Sequence, residues 1–517
     1  MFSLKWNKYP KVQRAMMSGL AFAFVVLNSA TAFAGGNTDS KPWYTGFVPI
    51  LLLLGAVSIM FWRLPKAKED FSGQLDYLKN KAYRYRRAIN WLVLGTMYAF
   101  LYWGRYNING AIIAIGGKKM LEDFNFVFSA GTFIYGLSFF VNGPLTDRYG
   151  GRWAILIGAF GAAIANILMG VVCWYSANEM ISADQLFWYL MFLYPINMYF
   201  QSFGAVAVVK CNAPWFHVRE RGVFGAIFGI LIALGIYFAF DWTSYILEGL
   251  KLAVSWAFFV PAVALAIMFI VGWFAVRNRP SDAGLLDIDV GDGLENDTKA
   301  DPPVVVFKRM LKSPIIMTIA CIEFCSGFIR QSNMQLYRPI AKAIGNANNF
   351  VYENWGLMLC CAGILGGVFA GTISDHFFKS RRGPVAVILY AGLLLTGLMM
   401  CFSIGSPILA WLVLSMSLCV IGVHGMLSGT ASMDFGGRKN TGVAVGLIDG
   451  FVYMGTGLQA ALYAVVLPKV KDEGSNNPAA WWFWPVAMVP IALIGLVLAY
   501  RIRNVSVKKD KEKEVSI

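Results

Sequence analysis

Two arginines stand where charge is expensive. Arg105 lies inside the apolar stretch 90–117, and Arg330 lies inside the apolar stretch 313–337. A charge held at the bilayer centre costs ~2.5–3.5 kcal/mol on insertion scales, so each guanidinium must face protein or water rather than lipid. Polar residues recur at helical spacing around both. Tyr98, Tyr102, Arg105 and Asn109 follow at steps of 4, 3 and 4 residues, on one helix face. Glu323, Ser326, Arg330, Asn333 and Tyr337 form a second stripe of this kind. Shorter stripes are Tyr135, Ser138 and Asn142; Tyr194, Asn197 and Gln201; and Asp449 and Tyr453. A planar guanidinium with its fork of donors suits a tetrahedral oxyanion, which it grips through paired, charge-assisted hydrogen bonds. The competing reading is an internal ion pair, with Glu323 or Asp449 as partner. For these two acids, counter-ion and proton-carrier roles are both open.

The elements that must position these residues are membrane helices. The chain has 517 residues, of which 57% are hydrophobic and 14% charged, and its mean hydropathy is +0.57. A soluble fold needs a larger charged coat than this. Apolar runs of about 20 residues are long enough to span a bilayer, and only helices satisfy the backbone there. Such runs occur near 15–34 and 44–62, and then twelve follow: 89–114, 126–146, 152–176, 185–211, 219–243, 252–277, 313–337, 352–373, 383–403, 406–431, 441–467 and 481–502. The predicted fold class is an all-α membrane protein with two additional N-terminal hydrophobic segments.

Lysine and arginine set the orientation. With the N-terminus cytoplasmic, the cytoplasmic pieces hold 33 of the 44 basic residues and the opposite side seven. This bias predicts a multi-pass protein of the inner (plasma) membrane, both termini cytoplasmic before any processing. It also accounts for the net charge of +15 as basic loops facing anionic headgroups, which argues against nucleic acid as a partner. Residues 1–34 read either as a signal-peptide-like leader ending in TAFAGG or as a first transmembrane segment.

An internal repeat divides the twelve-segment core. GPLTDRYGGR at 143–152 returns as GTISDHFFKSRR at 371–382, six segments later. The expected organisation is an extra helix and basic linker over 35–88, a six-helix half over 89–277, a polar linker over 278–312, a second half over 313–502 and a basic tail over 503–517. Two parallel six-helix halves with a binding site at the midplane are a transporter architecture. In the repeated loop, Gly143, Asp147, Arg148, Arg152 and Asp375 are candidate gating residues. Asp147 can accept hydrogen bonds from a helix N-terminus and pair with an arginine.

GPLTDRYGGR resembles the loop signature of the major facilitator superfamily. Within it, four stretches resemble the organophosphate:phosphate antiporter family, which includes bacterial glycerol-3-phosphate and hexose-phosphate transporters: LYWGRYNIN (101–109), KCNAPWFHVRERG (210–222), RPSDAGLLDID (279–289) and GFIRQSN (327–333). The resemblance covers roughly 85–500. It implies the major facilitator fold, two pseudo-symmetric six-helix bundles, and exchange of a small phosphorylated metabolite for inorganic phosphate by alternating access. On this reading Arg105 and Arg330 clamp the phosphate, with Tyr102, Asn109, Tyr135, Asn197, Gln201, Asn333 and Tyr337 as further substrate-binding candidates and Glu323 and Asp449 as coupling or counter-ion candidates. The chain also departs from the family: Tyr106 and Phe139 stand where several members have lysine, and Ile232 where they have histidine. Alternatives are a membrane sugar-phosphate sensor that signals through a partner on the N-terminal helices, and a proton-coupled organic-anion symporter.

The sequence has no Ser–His–Asp order and no phosphate-binding nucleotide loop, so no catalytic residue and no enzyme activity is expected. The eight cysteines form no paired CxxC array and the three histidines are scattered, so neither metal nor cofactor is expected. His424 reads as a packed polar residue. The expected partners are the metabolite, inorganic phosphate and the lipid bilayer, with a monomeric chain.

Overall fold

The computed structural model describes residues 80–115, 118–217, 229, 231–290, 302–378, 381–468 and 476–504. The chain divides into two units, 1–72 and 73–517, and every described residue falls in the second. The expectations for the leader, for the span 44–62 and for the basic tail beyond residue 504 lie outside the described residues.

Among the described residues there are twelve long helices: α1 Lys81–Ile115, α2 Lys118–Tyr149, α3 Gly151–Ala177, α4 Ala183–Asn212, α5 Leu231–Gly249, α6 Trp256–Ala275, α7 Pro314–Ala343, α8 Trp355–Phe377, α9 Arg382–Phe402, α10 Leu409–His424, α11 Ser432–Val466 and α12 Phe483–Arg501. Ten spans are long and apolar enough to cross a membrane; α1 falls outside that group, and the apolar part of α8, Trp355–Gly371, is shorter. With no strand among the described residues, the protein is an all-α, multi-pass membrane protein. Inner and outer helices separate by burial. In α11, 83% of the apolar window is buried, against 39% in α6, α9 and α12, which turn side chains such as Phe274 and Leu395 outward.

Local sequence explains the helix ends. Ser182 and Gln185 form a reciprocal capping box at the start of α4. Pro314 occupies the first turn of α7, where its missing N–H leaves nothing unpaired. Gly150 turns the chain from α2 into α3 at φ +88°, a conformation that disfavours any side chain, and Asn278 fills the space a Cβ would need. Arg152 donates its backbone N–H to Asn278 Oδ1 at 2.8 Å and Nη2 to the Trp273 carbonyl at 2.7 Å. The RPSDAGL stretch is likewise a turn, with Gly284 at φ +75° and Asp287 accepting from Ser281 N at 2.9 Å. α1 begins before its apolar stretch, and the extension is tied down by Arg86 Nη2 to the Ala275 carbonyl at 2.5 Å and Tyr83 Oη to the Trp215 carbonyl at 3.1 Å.

The main partners of α11 are α2 and α7, and α5 also packs on α8. The α2–α11 crossing is close because small residues line it: a Cβ on Gly143 would lie 2.6 Å from the Gly442 carbonyl oxygen. α11 therefore touches α2 and α7 at once, and it carries Tyr453 between the two arginines. A short amphipathic helix, Pro303–Lys312, precedes α7 and buries Val306 and Met310 against Val443 and Leu447 of α11.

Candidate functional site

Arg105 and Arg330 converge on one tyrosine. Arg105 Nη1 donates to Tyr453 Oη at 2.9 Å, and the Tyr453 ring centroid lies 5.7 Å from Arg105 Cζ and 5.5 Å from Arg330 Cζ. Both arginines are buried, at 0% and 2% exposure. Neither has a carboxylate within ion-pair distance among the described residues. The internal ion pair entertained from the sequence is therefore absent: Glu323 Oε2 meets His424 Nδ1 at 2.9 Å, and Asp449 Oδ1 accepts from Ser428 Oγ at 2.5 Å.

The two guanidinium groups differ in how they are held. Arg105 sits in an aromatic cage, with Cζ 4.4 Å from the Tyr102 ring, 4.3 Å from Tyr135 and 5.8 Å from Tyr106. Ring faces stabilise a buried cation by about 0.5–2 kcal/mol each without consuming its N–H donors. Nε and Nη2 of Arg105 have no protein acceptor at full hydrogen-bond geometry. Arg330 has none for Nε, Nη1 or Nη2; the Tyr453 hydroxyl approaches it only loosely. A buried donor without an acceptor costs about 1–3 kcal/mol, and more when charged. Five such guanidinium nitrogens, from opposite halves of the chain, are therefore an energetic demand for an anion.

The backbone under each arginine is fixed by buried polar contacts. In the first half, Asn166 Nδ2 donates to the Gly104 carbonyl at 3.0 Å, Asn197 Nδ2 does so at 3.0 Å, and Tyr194 Oη donates to the Arg105 carbonyl at 3.2 Å. In the second half, Tyr390 Oη donates to the Ile322 carbonyl at 2.5 Å and Thr456 Oγ1 to the Gly327 carbonyl at 3.3 Å. Each arginine thus projects from a helix pinned by its own bundle, which holds a site to the geometry its ligand needs.

The other candidate residues are distributed unevenly. Tyr102 and Tyr135 touch Arg105, and their hydroxyls lack a full hydrogen bond. Asn333 is fully buried with both amide atoms unpaired, and Gln201 Oε1 is unpaired. Asn197 is engaged in the Asn107–Asn166–Asn197–Gln201 chain of hydrogen bonds that joins helices. Asn109 donates within its own helix, to the Tyr106 carbonyl at 3.0 Å. Tyr337 pairs with Asn349 at 3.3 Å and packs on Trp355, near the end of α7.

In the repeated loop, Asp147 accepts from Gly442 N at 3.0 Å and Val443 N at 2.8 Å. Its ionic partner is Lys210, not an arginine as the sequence suggested. Arg148 is exposed beside Tyr149, and Arg152 binds Asn278 and Trp273 within its own half, so the motif's arginines face away from the contact. The side chain of Asp375 lies outside the described residues.

Three residues were not singled out as site candidates. Tyr453 lay on a two-residue stripe too short to mark it. His424 looked like packing because its partner Glu323 is 101 residues away. Asp241 sits in the apolar string FAFDW and carries no motif; its carboxylate accepts from Gly356 N at 3.1 Å and Leu357 N at 2.9 Å, at the start of α8. The departures from the family also appear in place: Tyr106 Oη donates to Gln331 Oε1 at 3.4 Å across the halves, and Phe139 stacks on Tyr453 at 5.8 Å.

Comparison with known proteins agrees with this architecture. The Bacillus subtilis glycerol-3-phosphate transporter is 28% identical over 64% of this chain and 75% of its own length. The Escherichia coli membrane sensor protein UhpC is 26% identical over 83% of this chain and 94% of its own. A probable hexose phosphate transport protein of Chlamydia trachomatis is 24% identical over 81% of this chain and 92% of its own. The sequence model of the Major Facilitator Superfamily matches residues 94–461, from the first core helix to near the end of α11. With the all-α fold and the repeated Gly–Asp loop, that match means that the chain belongs to the Major Facilitator Superfamily.

Proposed function

We propose that the protein is a secondary transporter that exchanges a small phosphorylated metabolite for inorganic phosphate across the inner membrane. The observation that carries this reading is the set of unmet donors on Arg105 and Arg330, buried between α1 of one half and α7 of the other. A phosphoryl group offers acceptor oxygens in the geometry a guanidinium fork matches. Its two exchanged ligands would share that group, so one site would serve both directions. Binding draws the halves together at the centre; rocking about the α2–α11 and α5–α8 contacts then exposes the site to each side in turn. Tyr453 would hold Arg105 ready and hand over its hydrogen bond as the anion enters.

The test is counterflow in proteoliposomes loaded with phosphate and offered a panel of labelled organophosphates. Wild type exchanges; Arg105→Lys and Arg330→Lys insert and fold but lose at least about a hundredfold in exchange rate, roughly the loss of one or two charge-assisted hydrogen bonds. Normal exchange in both variants would overturn the phosphate clamp. A second reading has a specific observation behind it: the sensor relative aligns over 94% of its length. In a sensor the same arginines bind the phosphorylated ligand, and the labelled compound binds without counterflow.

A further inference from the structure

The centre carries a charge balance that leaves a doubly charged anion unpaid by the arginines alone. Around Tyr453, among the described residues, the buried Arg, Lys, Asp and Glu residues are Arg105, Arg330, Glu323 and Asp449, two of each sign. With both acids ionised, the site is neutral before any ligand arrives. A phosphate dianion would leave it at two negative charges in a medium that screens poorly. No lysine supplies the difference: Tyr106 and Phe139 complete the wall near the arginines.

The acids are arranged to take up protons rather than to neutralise arginine. Glu323 Oε2 and His424 Nδ1 lie 2.9 Å apart, at 0% and 2% exposure. Glu323 Oε1 has no full hydrogen bond, with Ser326 as a loose neighbour. Asp449 is held by Ser428, from the wide helical turn Gly425–Ala431 that follows α10. Charged and titratable groups on α1, α2, α7, α9 and α11 feel this cluster. Arg330 from α7 acts on Glu323, His424 and Asp449. Arg105 from α1 acts on His424, Tyr135 from α2 and Tyr453 from α11 on Asp449, and Tyr390 from α9 and Cys325 from α7 on Glu323.

We infer that the Glu323–His424 pair, with Asp449–Ser428 beside it, is a proton-binding site that takes up at least one proton when a dianionic phosphate binds between the arginines. The proton comes from bulk water, as hydronium or with release of hydroxide, and joins the carboxylate–imidazole unit, raising its charge by one. This rests on the phosphate reading of Arg105 and Arg330 and adds to it that anion and proton occupancy are linked. If the occupied site holds one proton more than the free site, affinity falls as pH rises.

The test is binding of inorganic phosphate to the full-length protein in nanodiscs between about pH 8 and 9, where phosphate itself is mostly dianionic. One proton taken up per phosphate weakens wild-type binding about tenfold over that unit. Glu323→Gln, which imitates the protonated acid, still binds phosphate, and its dissociation constant changes by less than about twofold; Asp449→Asn serves as the second variant should Glu323→Gln fail to fold. Wild-type binding that is constant across the range overturns the proton site and leaves the clamp standing. So does a wild-type slope retained in both variants. No phosphate binding at any pH overturns the clamp, and the proton site with it.

Discussion

The two contacts between the halves use the same device at opposite ends of the bundle. Where α2 meets α11, the Asp147 carboxylate accepts two backbone N–H groups, of Gly442 and Val443. Where α5 meets α8, the Asp241 carboxylate accepts two, of Gly356 and Leu357. The helices alternate in direction, so these contacts lie on opposite sides of the arginines. A carboxylate on backbone N–H groups is a charge-assisted bond, and at Gly356 and Leu357, in the first turn of α8, it also meets the helix dipole. The difference lies around the device. The α2–α11 contact runs along both helices, and Asp147 also pairs with Lys210. The α5–α8 contact is close as well, since a Cβ on Gly363 would lie 2.9 Å from Ala233 Cβ, and Gly356 sits directly under Asp241, where a Cβ would be 2.5 Å from Oδ1. Two carboxylate latches at opposite ends, each in its own surroundings, mean that weakening either one should favour opening at that end.

Three substitutions break or sharpen that comparison. The largest effect is expected from Gly442→Leu, because a Cβ there already lies 2.6 Å from the Gly143 carbonyl oxygen and 2.8 Å from Asp147 Cγ. Overpacking of this kind costs about 1–3 kcal/mol, read as a lower midpoint in thermal unfolding of the purified protein. An unchanged midpoint would mean that the close α2–α11 approach contributes nothing.

Asp147→Asn should have a middle effect, about 1–2 kcal/mol, by weakening the bonds to Gly442 N and Val443 N and removing the negative charge that Lys210 faces. Combined with Lys210→Met, the loss should be less than the sum of the two single variants, since both remove one shared interaction. Strict additivity in that double-mutant cycle would show that the pair is not coupled.

Gly356→Ala should have the smallest effect on stability, about 1 kcal/mol or less, because the Asp241 side chain can turn aside. Its signature is in the equilibrium between states. With the eight native cysteines replaced, Tyr337→Cys, near that end of α7, should react faster with a membrane-impermeant maleimide in Gly356→Ala than in the Gly356 parent. Equal labelling rates would remove the idea that Asp241 holds that end closed.

Asp147 was legible before the structure and Asp241 was not, though they do the same work. Asp147 lies in a loop whose pattern recurs six helices on, so a repeat marked it. Asp241 has no repeat and no motif, and its acceptor role depends on a helix start more than a hundred residues away. The same contrast holds at the centre. Arg105 and Arg330 were conspicuous because a charge in an apolar run demands a reason. Asn197, on an equally clear polar stripe, turned out to bond the Gly104 carbonyl and its neighbours, because a stripe says which face is polar and not what meets it.

What the sequence determined by itself was the solvent, the spans and the two costly charges, because each is a property of residues close together in the chain: hydropathy over a run, basic residues in a loop, an arginine among apolar neighbours. Only the tertiary structure decided the partners. Tyr453 between the arginines, His424 on Glu323 and Lys210 on Asp147 are all contacts across helices, and a periodicity of one helix carries no record of which other helix packs on its face.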